Sequence, residues 1–354
     1  MRSEIKIKAV DLLKDLIRTQ SFSGEEDQTA LIIQKWFTEN KIPFQKDNNN
    51  IWAINRYFDA SKPTILLNSH HDTVKPNKGY TNDPLNPEII EGKIYGLGSN
   101  DAGASLVSLI ATFADFYTSK NLKYNLIVLA SAEEENSGSK GIGSVIPLLP
   151  EIDFAIVGEP TLMQLAIAEK GLLVLDCYAY GKAGHAAHSL GDNSIYKAVK
   201  AIEWFKNYRF AKISETLGEV KMTVTQIDAG SQHNVIPATC HFVVDIRTTD
   251  QYSNTEVLEI IKEHVDIEVK ERSLRHNSSS ISKDHEIVKA GELLGREIYG
   301  SPTLSDQSNL NCPSLKLGPG DSLRSHTADE FVYIDEIHNG IDLYIKILSK
   351  ILED

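Results

Sequence analysis

The stretch TILLNSHHDTV, residues 64–74, organises the rest of this sequence. Its first half is a short run of apolar, strand-forming residues, which is typical of a buried β-strand. His70 follows directly, and Asp72 comes two positions later. A histidine placed there can bind a metal through one ring nitrogen while an aspartate accepts a hydrogen bond from the other nitrogen. The alternative is an ordinary polar turn, and this stretch alone leaves both interpretations open.

Size, composition and charge bound the kind of protein. The 354 residues suggest two domains, or one large domain with an insertion. Hydrophobic residues make up 41% and charged residues 24%, which is ordinary for a globular protein with a substantial core. The net charge of −13 argues against a general binder of nucleic acids or of anionic membranes. We therefore expect neither of these partners.

Cysteine usage and the apolar runs favour a cytoplasmic protein. The cysteines Cys177, Cys240 and Cys312 are odd in number and show no Cys-x-x-Cys spacing. This argues against a disulfide framework or a thiolate zinc cluster and fits a reducing compartment. Residues 1–20 have the periodicity of an amphipathic helix rather than of a signal peptide, and no apolar run reaches the ~18 residues that span a membrane.

Strands and helices alternate through the first half of the chain. Buried-type strands are predicted at residues 64–68, 125–130 and 154–157, with helices at 102–117 and 141–149 between them. This alternation predicts an α/β fold with a mostly parallel, doubly wound sheet, in which ligands bind outside the carboxyl ends of the strands. Three of those ends are followed by candidate ligands, namely His70, Glu134 with Glu135, and Glu159.

The middle of the chain follows a different pattern. Residues 171–280 are predicted to contain, in order, a strand, a helix, two strands, a helix and a strand. This β-α-β-β-α-β order is that of a ferredoxin-like α+β domain. We therefore expect a catalytic domain formed by residues 1–170 and 281–354, interrupted by an inserted domain at 171–280. In the last segment we expect a helix at 285–298, a strand at 313–317, a loop carrying His326, and a closing helix at 334–352.

One set of candidate metal ligands emerges from this layout. Imidazole and carboxylate without thiolate suits Zn²⁺ and also accepts Co²⁺ or Mn²⁺. A single catalytic zinc takes only three protein ligands, whereas two metals with a bridging carboxylate use five. Each residue also has a structural interpretation: an acidic helix start, an N-cap, a strand-end turn or an exposed loop histidine. The candidates are His70, Asp101, Glu135, Glu159 and His326.

The ordered motifs resemble one enzyme family nearly from end to end. It is the family of dinuclear-zinc amidohydrolases that includes acetylornithine deacetylase, succinyl-diaminopimelate desuccinylase and carboxypeptidase G. The inserted segment contributes GKAGH (181–185), NVIP (234–237) and DIR (245–247). The remaining motifs are SFSGE (21–25), SHHD (69–72), GSND (98–101), AEEE (132–135), GEPT (158–161), GPG (318–320) and SHTADE (325–330).

The resemblance implies a role for each metal-site residue. His70 and Glu159 would bind one zinc, Glu135 and His326 the other, and Asp101 would bridge both. Asp72 would orient His70. Glu134 would act as the general base, although a one-residue ambiguity remains within the run of three glutamates at 133–135. Such a base accepts a proton from the attacking water and can deliver it to the leaving amine.

The resemblance also implies roles for the inserted domain. His185 would reach into the site of a partner subunit of a homodimer and stabilise the oxyanion, while Asn234 and Arg247 would bind the substrate carboxylate. An arginine offers a planar fork to a carboxylate, but Arg247 can equally form a surface ion pair. His71, His188 and His233 flank these motifs, and we expect them to lie on the surface or behind the site rather than against substrate.

The predicted function is metal-dependent removal of a small acyl group from an N-acyl amino acid. The GEPT motif and the compact two-domain length most resemble acetylornithine deacetylase, and hence arginine biosynthesis. A succinyl-diaminopimelate desuccinylase, an acylcitrulline or acyl-lysine deacylase, and a di- or tripeptidase are the close alternatives. A non-catalytic amino-acid-binding relative is the alternative of a different class. Dinucleotide-binding and serine-hydrolase signatures do not occur in the sequence.

Overall fold

The structure, a computed structural model, describes residues 2–188 and 190–353, which form two compact units. The first unit contains the residues up to Ile167, Ile281–Tyr299, and the residues from Ser305 onward. The second unit contains Ala168–Ser280 and the short segment Gly300–Leu304. The prediction that an inserted domain serves as a lid or dimerisation domain stays a prediction.

The α-helices of the described residues lie mostly where apolar periodicity predicts them. They are α1 Arg2–Ile17, α2 Asp27–Glu39, α3 Ala104–Phe116, α4 Ile142–Val145, α5 Ser194–Asn207, α6 Asn254–His264, α7 Glu286–Glu292 and α8 Ile334–Leu352.

The strands are more numerous than the sequence pattern indicates. They are β1 Gln45–Asp47, β2 Asn50–Ile54, β3 Thr64–His70, β4 Ile89–Ile90, β5 Lys93–Tyr95, β6 Asn125–Ser131, β7 Phe154–Val157, β8 Leu165–Glu169, β9 Gly171–Tyr180, β10 Gly184–His185, β11 Lys221–Ala229, β12 Val235–Ile236, β13 Thr239–Thr248, β14 Glu268–Glu271, β15 Ser279–Ser280, β16 Ile298–Ser301, β17 Ser314–Lys316 and β18 Phe331–Tyr333.

Two predicted helices are shorter in the structure. The helix predicted at 141–149 stops at Val145 and continues as a 3₁₀ turn, since Pro147 has no N–H to donate within an α-helix. The helix predicted at 285–298 ends at Glu292. Gly295 then adopts a left-handed φ of +76°, and the chain enters β16. The full length predicted for both helices is therefore wrong.

In the central sheet of the first unit, the strands that lead to the candidate site are parallel to one another. From β1 to β8 its strand order is β1-β2-β6-β3-β7-β17-β8, and the short strands β15 and β16 also pair with β8. The pairs β3/β6, β3/β7 and β7/β17 are parallel, while the flanking pairs β1/β2, β2/β6 and β17/β8 are antiparallel. In the register, His70 pairs with Ser131 and Asn68 pairs with Val157, so the strands end at a common edge. The predicted α/β class with a mostly parallel central sheet is confirmed.

Strand β3 is buried along its whole length because both faces of the sheet are covered. Ile65 and Leu67 pack into the larger core with residues of α1, α3 and α8, while Leu66 packs on the opposite face with Trp52 and Ile127. Full burial of one such side chain contributes about 1.5–3 kcal/mol. The strand is therefore a rigid base for the polar residues at its end.

The second unit contains a four-stranded antiparallel sheet in the order β11-β13-β9-β14. Along the chain its elements follow as β9-α5-β11-β13-α6-β14, which is the predicted β-α-β-β-α-β unit. Alternate residues of β9, such as Leu173, Leu175 and Cys177, are fully buried and pack in a core with α5 and α6. Among the described residues, no helix is long and apolar enough to cross a membrane.

Candidate active site

Five predicted ligands meet at the carboxyl edge of the parallel strands. Their potential ligand atoms form two groups, each with all atoms within 4.8 Å of one another. The first group is His70, Asp101 and Glu159, and the second is Asp101, Glu135 and His326. Because Asp101 belongs to both groups, it lies where a bridging ligand is required.

The local chain structure explains how each donor arrives there. His70 is the last residue of β3, while Glu135 and Glu159 follow β6 and β7 within four residues. Asp101 lies in an irregular π-helical turn, Ser99–Gly103, that precedes α3. His326 lies in the loop after β17 and has a left-handed φ of +59°. The predicted convergence of strand ends therefore brings these side chains together.

One ring nitrogen of His70 is held by the main chain and the other is left for a ligand. Its Nδ1 lies 3.0 Å from the main-chain oxygen of Asp72, to which it donates a hydrogen bond. Its Nε2 is buried and has no hydrogen-bond partner. This nitrogen lies 3.5 Å from Asp101 Oδ1 and 4.0 Å from both Glu134 Oε2 and Glu159 Oε1. A buried ring nitrogen that faces carboxylate oxygens, and that offers its lone pair once it is deprotonated, is the arrangement that a metal ion requires.

The Asp72 carboxylate mainly holds the glutamate loop. It accepts hydrogen bonds from the main-chain N–H groups of Glu134 at 3.0 Å and Glu135 at 3.1 Å, and from Ser23 Oγ at 2.7 Å. The distance from its Oδ1 to His70 Nδ1 is longer, 3.5 Å. Burial acts to raise the pKa of Asp72, but its interactions with His70 and these donors lower it to about 2. The predicted orientation of His70 by the Asp72 side chain stays a prediction, since the main-chain carbonyl is the closer acceptor.

The second group is more open than the first. His326 Nε2 lies 3.1 Å from Glu135 Oε2 and 3.5 Å from Asp101 Oδ2. The His326 side chain is 55% exposed, compared with 1% for His70. Its hydrogen bond to Glu135 and the neighbouring negative charges raise the pKa of His326 to about 9. A cation bound here would be nearer to solvent than one bound beside His70.

Burial of several carboxylates close together, to which their mutual repulsion adds, is the main electrostatic feature of the site. Burial and the charges of neighbouring carboxylates raise the pKa of Glu159 to about 8 and the pKa of Glu134 well above its usual range. Divalent cations among these oxygens would offset that repulsion, because each opposite charge favours the ionised carboxylates. Nitrogen and oxygen donors without sulfur fit Zn²⁺, and the partnerless Nε2 of His70 fits a metal ligand.

The three predicted substrate-site residues lie in the second unit. His185 and Asn234 are exposed and lie close together, because β10 pairs with β12 and Ala186 N donates to Asn234 O at 2.9 Å. Arg247, on β13, makes a two-point contact with Asp245 at 2.9 and 3.0 Å. The ion-pair alternative for Arg247 is thus realised in this structure, and its role toward substrate stays a prediction.

The extra histidines differ in their surroundings. His71 is buried, and its two ring nitrogens contact Thr29 Oγ1 and Asn49 O, both at 2.9 Å. Its ring therefore connects the residue after His70 to helix α2 and to the turn between β1 and β2. His188 is exposed, with its ring 5.4 Å from that of His185, and His233 is exposed in the segment before Asn234.

Sequence reasoning missed one buried carboxylate beside the site and left another without a role. Asp306 is 3% exposed, and its Oδ2 accepts a hydrogen bond from Ser131 Oγ at 2.5 Å. Glu330, within the SHTADE motif, is 2% exposed and accepts from main-chain N–H groups around Asp101. A signal for Asp306 was present, since the polar residues Asn68 and Ser131 at the ends of apolar strands require a buried partner.

An α/β fold with two groups of potential metal ligands that share one aspartate, at the carboxyl edge of its parallel strands, is typical of metalloenzymes that bind a pair of metal ions. Within that class the chain belongs to peptidase family M20/M25/M40, whose family model matches residues 66–350. It is a metal-dependent amidohydrolase of this family. The predicted family resemblance and enzyme class are therefore confirmed.

Individual relatives cover the chain almost completely. A succinyl-diaminopimelate desuccinylase of Corynebacterium glutamicum is 28% identical over 379 residues, covering 99% of this chain and 100% of that protein. One from Wolbachia pipientis is 27% identical over 380 residues, covering 98% and 94%. Among solved structures, a dinuclear metal-binding peptidase of the M20 family from Bacillus subtilis has a TM-score of 0.73 at 16% identity, covering 99% of this chain and 98% of that one. That last similarity shows the fold alone.

The two desuccinylases match the predicted desuccinylase alternative and do not support the preference for acetylornithine.

Proposed function

We propose that this protein hydrolyses the amide bond of an N-acyl amino acid with two zinc ions at the strand-end site. The observation that carries the proposal is the pair of donor groups sharing Asp101, with Glu134 beside them but in neither group. In this proposal His70 and Glu159 would hold one ion, Glu135 and His326 would hold the other, and Asp101 would contribute to both positions. Co²⁺ or Mn²⁺ would be accepted by the same donors.

The chain's own residues supply the proton transfer. The bound ions would polarise the scissile carbonyl and lower the pKa of the attacking water. Glu134 Oε2 lies 4.0 Å from His70 Nε2, so its carboxylate borders the ligand position without belonging to either donor group. Its main chain is fixed through the hydrogen bond from Glu134 N to Asp72. Glu134 accepts the proton of the water and delivers it to the leaving nitrogen.

The second unit provides substrate recognition in this proposal. An N–H of His185 would meet the charge that develops on the carbonyl oxygen in the transition state. Asn234 and Arg247 bind the carboxylate of the amino acid, for which the planar guanidinium now paired with Asp245 is suited. A homodimer formed through this unit would let His185 complete the site of the partner subunit.

The acyl group and amino acid are the finer part of the proposal. The full-length similarity to desuccinylases supports an N-succinyl diamino acid, with diaminopimelate as the first candidate and lysine biosynthesis as the setting in the cytoplasm. The GEPT motif at residues 158–161 favours the second candidate, N-acetylornithine or an N-acylcitrulline in arginine biosynthesis. The same catalytic set serves both, since only the walls of the substrate pocket differ.

A matched substrate panel tests the function. Purified protein loaded with Zn²⁺ or Co²⁺ is assayed on the N-acetyl and N-succinyl forms of ornithine, citrulline, lysine and diaminopimelate. We expect hydrolysis of at least one compound to be abolished by chelation, and the preferred compound to identify the acyl group and the amino acid. A metal-loaded enzyme that hydrolyses none of the eight would overturn the deacylase proposal. A chain that binds no metal would favour the non-catalytic alternative.

A further inference from the structure

Glu330 is a buried carboxylate that follows His326 by four positions and has no role in the metal-ligand set. Its side chain lies inside the first unit, with 2% of the residue exposed. Oε1 accepts hydrogen bonds from the main-chain N–H groups of Asn100 at 2.8 Å and Asp101 at 2.9 Å. Oε2 accepts one from Gly98 N at 3.1 Å. Two of these donors belong to the turn that carries Asp101, and the third, Gly98, is the residue directly before that turn.

That turn needs an acceptor from elsewhere in the chain. Asp101 has φ −116° and ψ 100°, and Ala102 has φ −115° and ψ 31°, so neither continues the helical conformation of α3. Gly98 adopts a left-handed φ of +74°, and a Cβ there would lie 2.6 Å from Thr73 Cγ2. Main-chain N–H groups in such an irregular buried turn are costly unless they are paired. Glu330 pairs three of them at once.

Glu330 also links Asp101 to His326, which are two of the three members of the second donor group. His326 and Glu330 lie on one short segment, and His326 Nε2 lies 3.5 Å from Asp101 Oδ2. The main chain of this segment is also bound to the residues that precede the turn, because Gly96 N donates a hydrogen bond to Glu330 O at 2.9 Å. The position of Asp101 relative to His326 therefore depends on contacts made by Glu330.

We propose that Glu330 is a positioning residue of the metal centre, which fixes the shared Asp101 relative to His326 and thereby sets the affinity and coordination geometry of the second metal position. This inference rests on the proposed metal assignment. Glu330 acts through Asp101 and touches neither substrate nor metal. Groups that orient metal ligands in this way typically change metal affinity or activity by about 10–100-fold when they are removed.

Asp329 offers a matched control one residue away. Its carboxylate also accepts three hydrogen bonds, from Thr81 N at 2.9 Å, Thr81 Oγ1 at 2.6 Å and Asn82 N at 3.0 Å. Those donors lie in a loop that carries no proposed ligand. Asp329→Asn therefore disturbs the same segment, with the same number of hydrogen bonds and the same exchange of a carboxyl group for an amide, without touching the Asp101 turn.

The test is a Co²⁺ titration of the metal-free full-length protein, followed by visible absorption. In Glu330→Gln the side-chain shape is kept, but an amide N–H₂ now faces the N–H of Gly98. We expect the second Co²⁺ to bind about 10-fold or more weakly than in wild type, and the d–d spectrum at saturation to change. We expect Asp329→Asn to keep both the affinity and the spectrum of the wild type.

Thermal unfolding of the metal-free variants distinguishes a positioning role of Glu330 from a general loss of protein stability. Similar unfolding temperatures with a spectral change confined to Glu330→Gln would support the proposal. An unchanged Co²⁺ affinity and spectrum in Glu330→Gln, or an equal change in Asp329→Asn, would overturn it. A wild-type protein that binds no Co²⁺ would overturn the proposed metal centre and this inference with it. If Glu330→Gln did not fold, Glu330→Asp, which keeps the carboxyl group on a shorter side chain, would be titrated in its place with the same outcomes.

Discussion

His70 and its neighbours hold protons that a metal ion must displace. Burial acts to lower the pKa of His70, but its contacts with Asp101, Asp72 and Glu134 more than offset this, and the net pKa is raised well above the usual value. Burial likewise acts to raise the pKa of Asp101, yet its contacts with His70 lower it. Without a metal, the imidazole is thus the main counter-charge of the carboxylates. Metal binding replaces that proton with a stronger positive charge.

Metal binding is accordingly expected to depend on pH. The pKa of Glu159 is raised to about 8 and that of His326 to about 9, so both side chains carry protons at pH 7 in the metal-free protein. Only deprotonated donors bind the ion, so protons are released and affinity rises with pH. Each released proton makes affinity rise about 10-fold per pH unit below its pKa. Calorimetry between pH 6 and pH 8, in buffers of different ionisation enthalpy, measures the release, and a pH-independent affinity would contradict the expectation.

Glu134 and Glu133 are adjacent, yet the structure gives them different surroundings. Glu134 Oε2 faces the ligand position, whereas Glu133 Oε2 accepts a hydrogen bond from Lys140 N at 2.9 Å. We expect Glu134→Gln to lower kcat by about 10²–10⁴-fold while both metal ions stay bound. Glu133→Gln is the matched control and should keep most of the activity. Metal content and steady-state kinetics of both variants are the measurements, and the reverse pattern would move the base by one residue.

At the scale of the elements, the buried parallel strands can be predicted from the sequence, whereas the short strands at the edges of the sheets cannot. The apolar run of β3 predicts a buried strand, and parallel packing alone predicts that His70, Glu135 and Glu159 converge. The strands β8, β16 and β18 escape prediction because they are short and depend on distant partners. The three partners given for Glu330, and two of the three donors to Asp72, are main-chain N–H groups, which leave no trace in side-chain patterns. The donor set could therefore be inferred from sequence, whereas its supports could not.

The ends of β3 and β6 are linked through Asp306. Its Oδ2 accepts from Ser131 Oγ at 2.5 Å and, in the amide orientation that satisfies its neighbours, from Asn68 Nδ2 at 3.2 Å. We expect Asp306→Ala to destabilise the protein by about 1–3 kcal/mol, because the hydrogen bonds from Ser131 Oγ and Asn68 Nδ2 to the carboxylate are both lost. Urea unfolding of Asp306→Ala, Ser131→Ala and the double variant measures the pairing. If the two single losses simply added in the double variant, the two side chains would be independent and the link would be disproved.

At the scale of the whole molecule, the proposed tasks fall on different units. The metal donors and Glu134 all belong to the first unit, whereas His185, Asn234 and Arg247 belong to the second. The chain leaves the first unit at Ile167 and returns at Ile281, where Ile281 N donates to Ile167 O at 2.9 Å. Two residues joined in this way have Cα atoms ~5.5 Å apart, which a linker of a few residues easily spans. Residues 168–280, which form all of the second unit except Gly300–Leu304, can therefore be replaced by a short linker without stretching the first unit.

This separation leads to a prediction about a shortened chain. We expect a variant in which a short Gly-Ser linker replaces residues 168–280 to bind two metal ions, because each donor and its hydrogen-bond partners remain. Its amide hydrolysis should be lost, because the groups proposed to bind the carboxylate and the oxyanion are gone. Arg247→Ala in the full chain is the comparison: it should raise KM while leaving metal content unchanged. Metal analysis and the substrate panel decide, since a shortened chain that still hydrolyses its substrate at the full rate would place recognition entirely in the first unit.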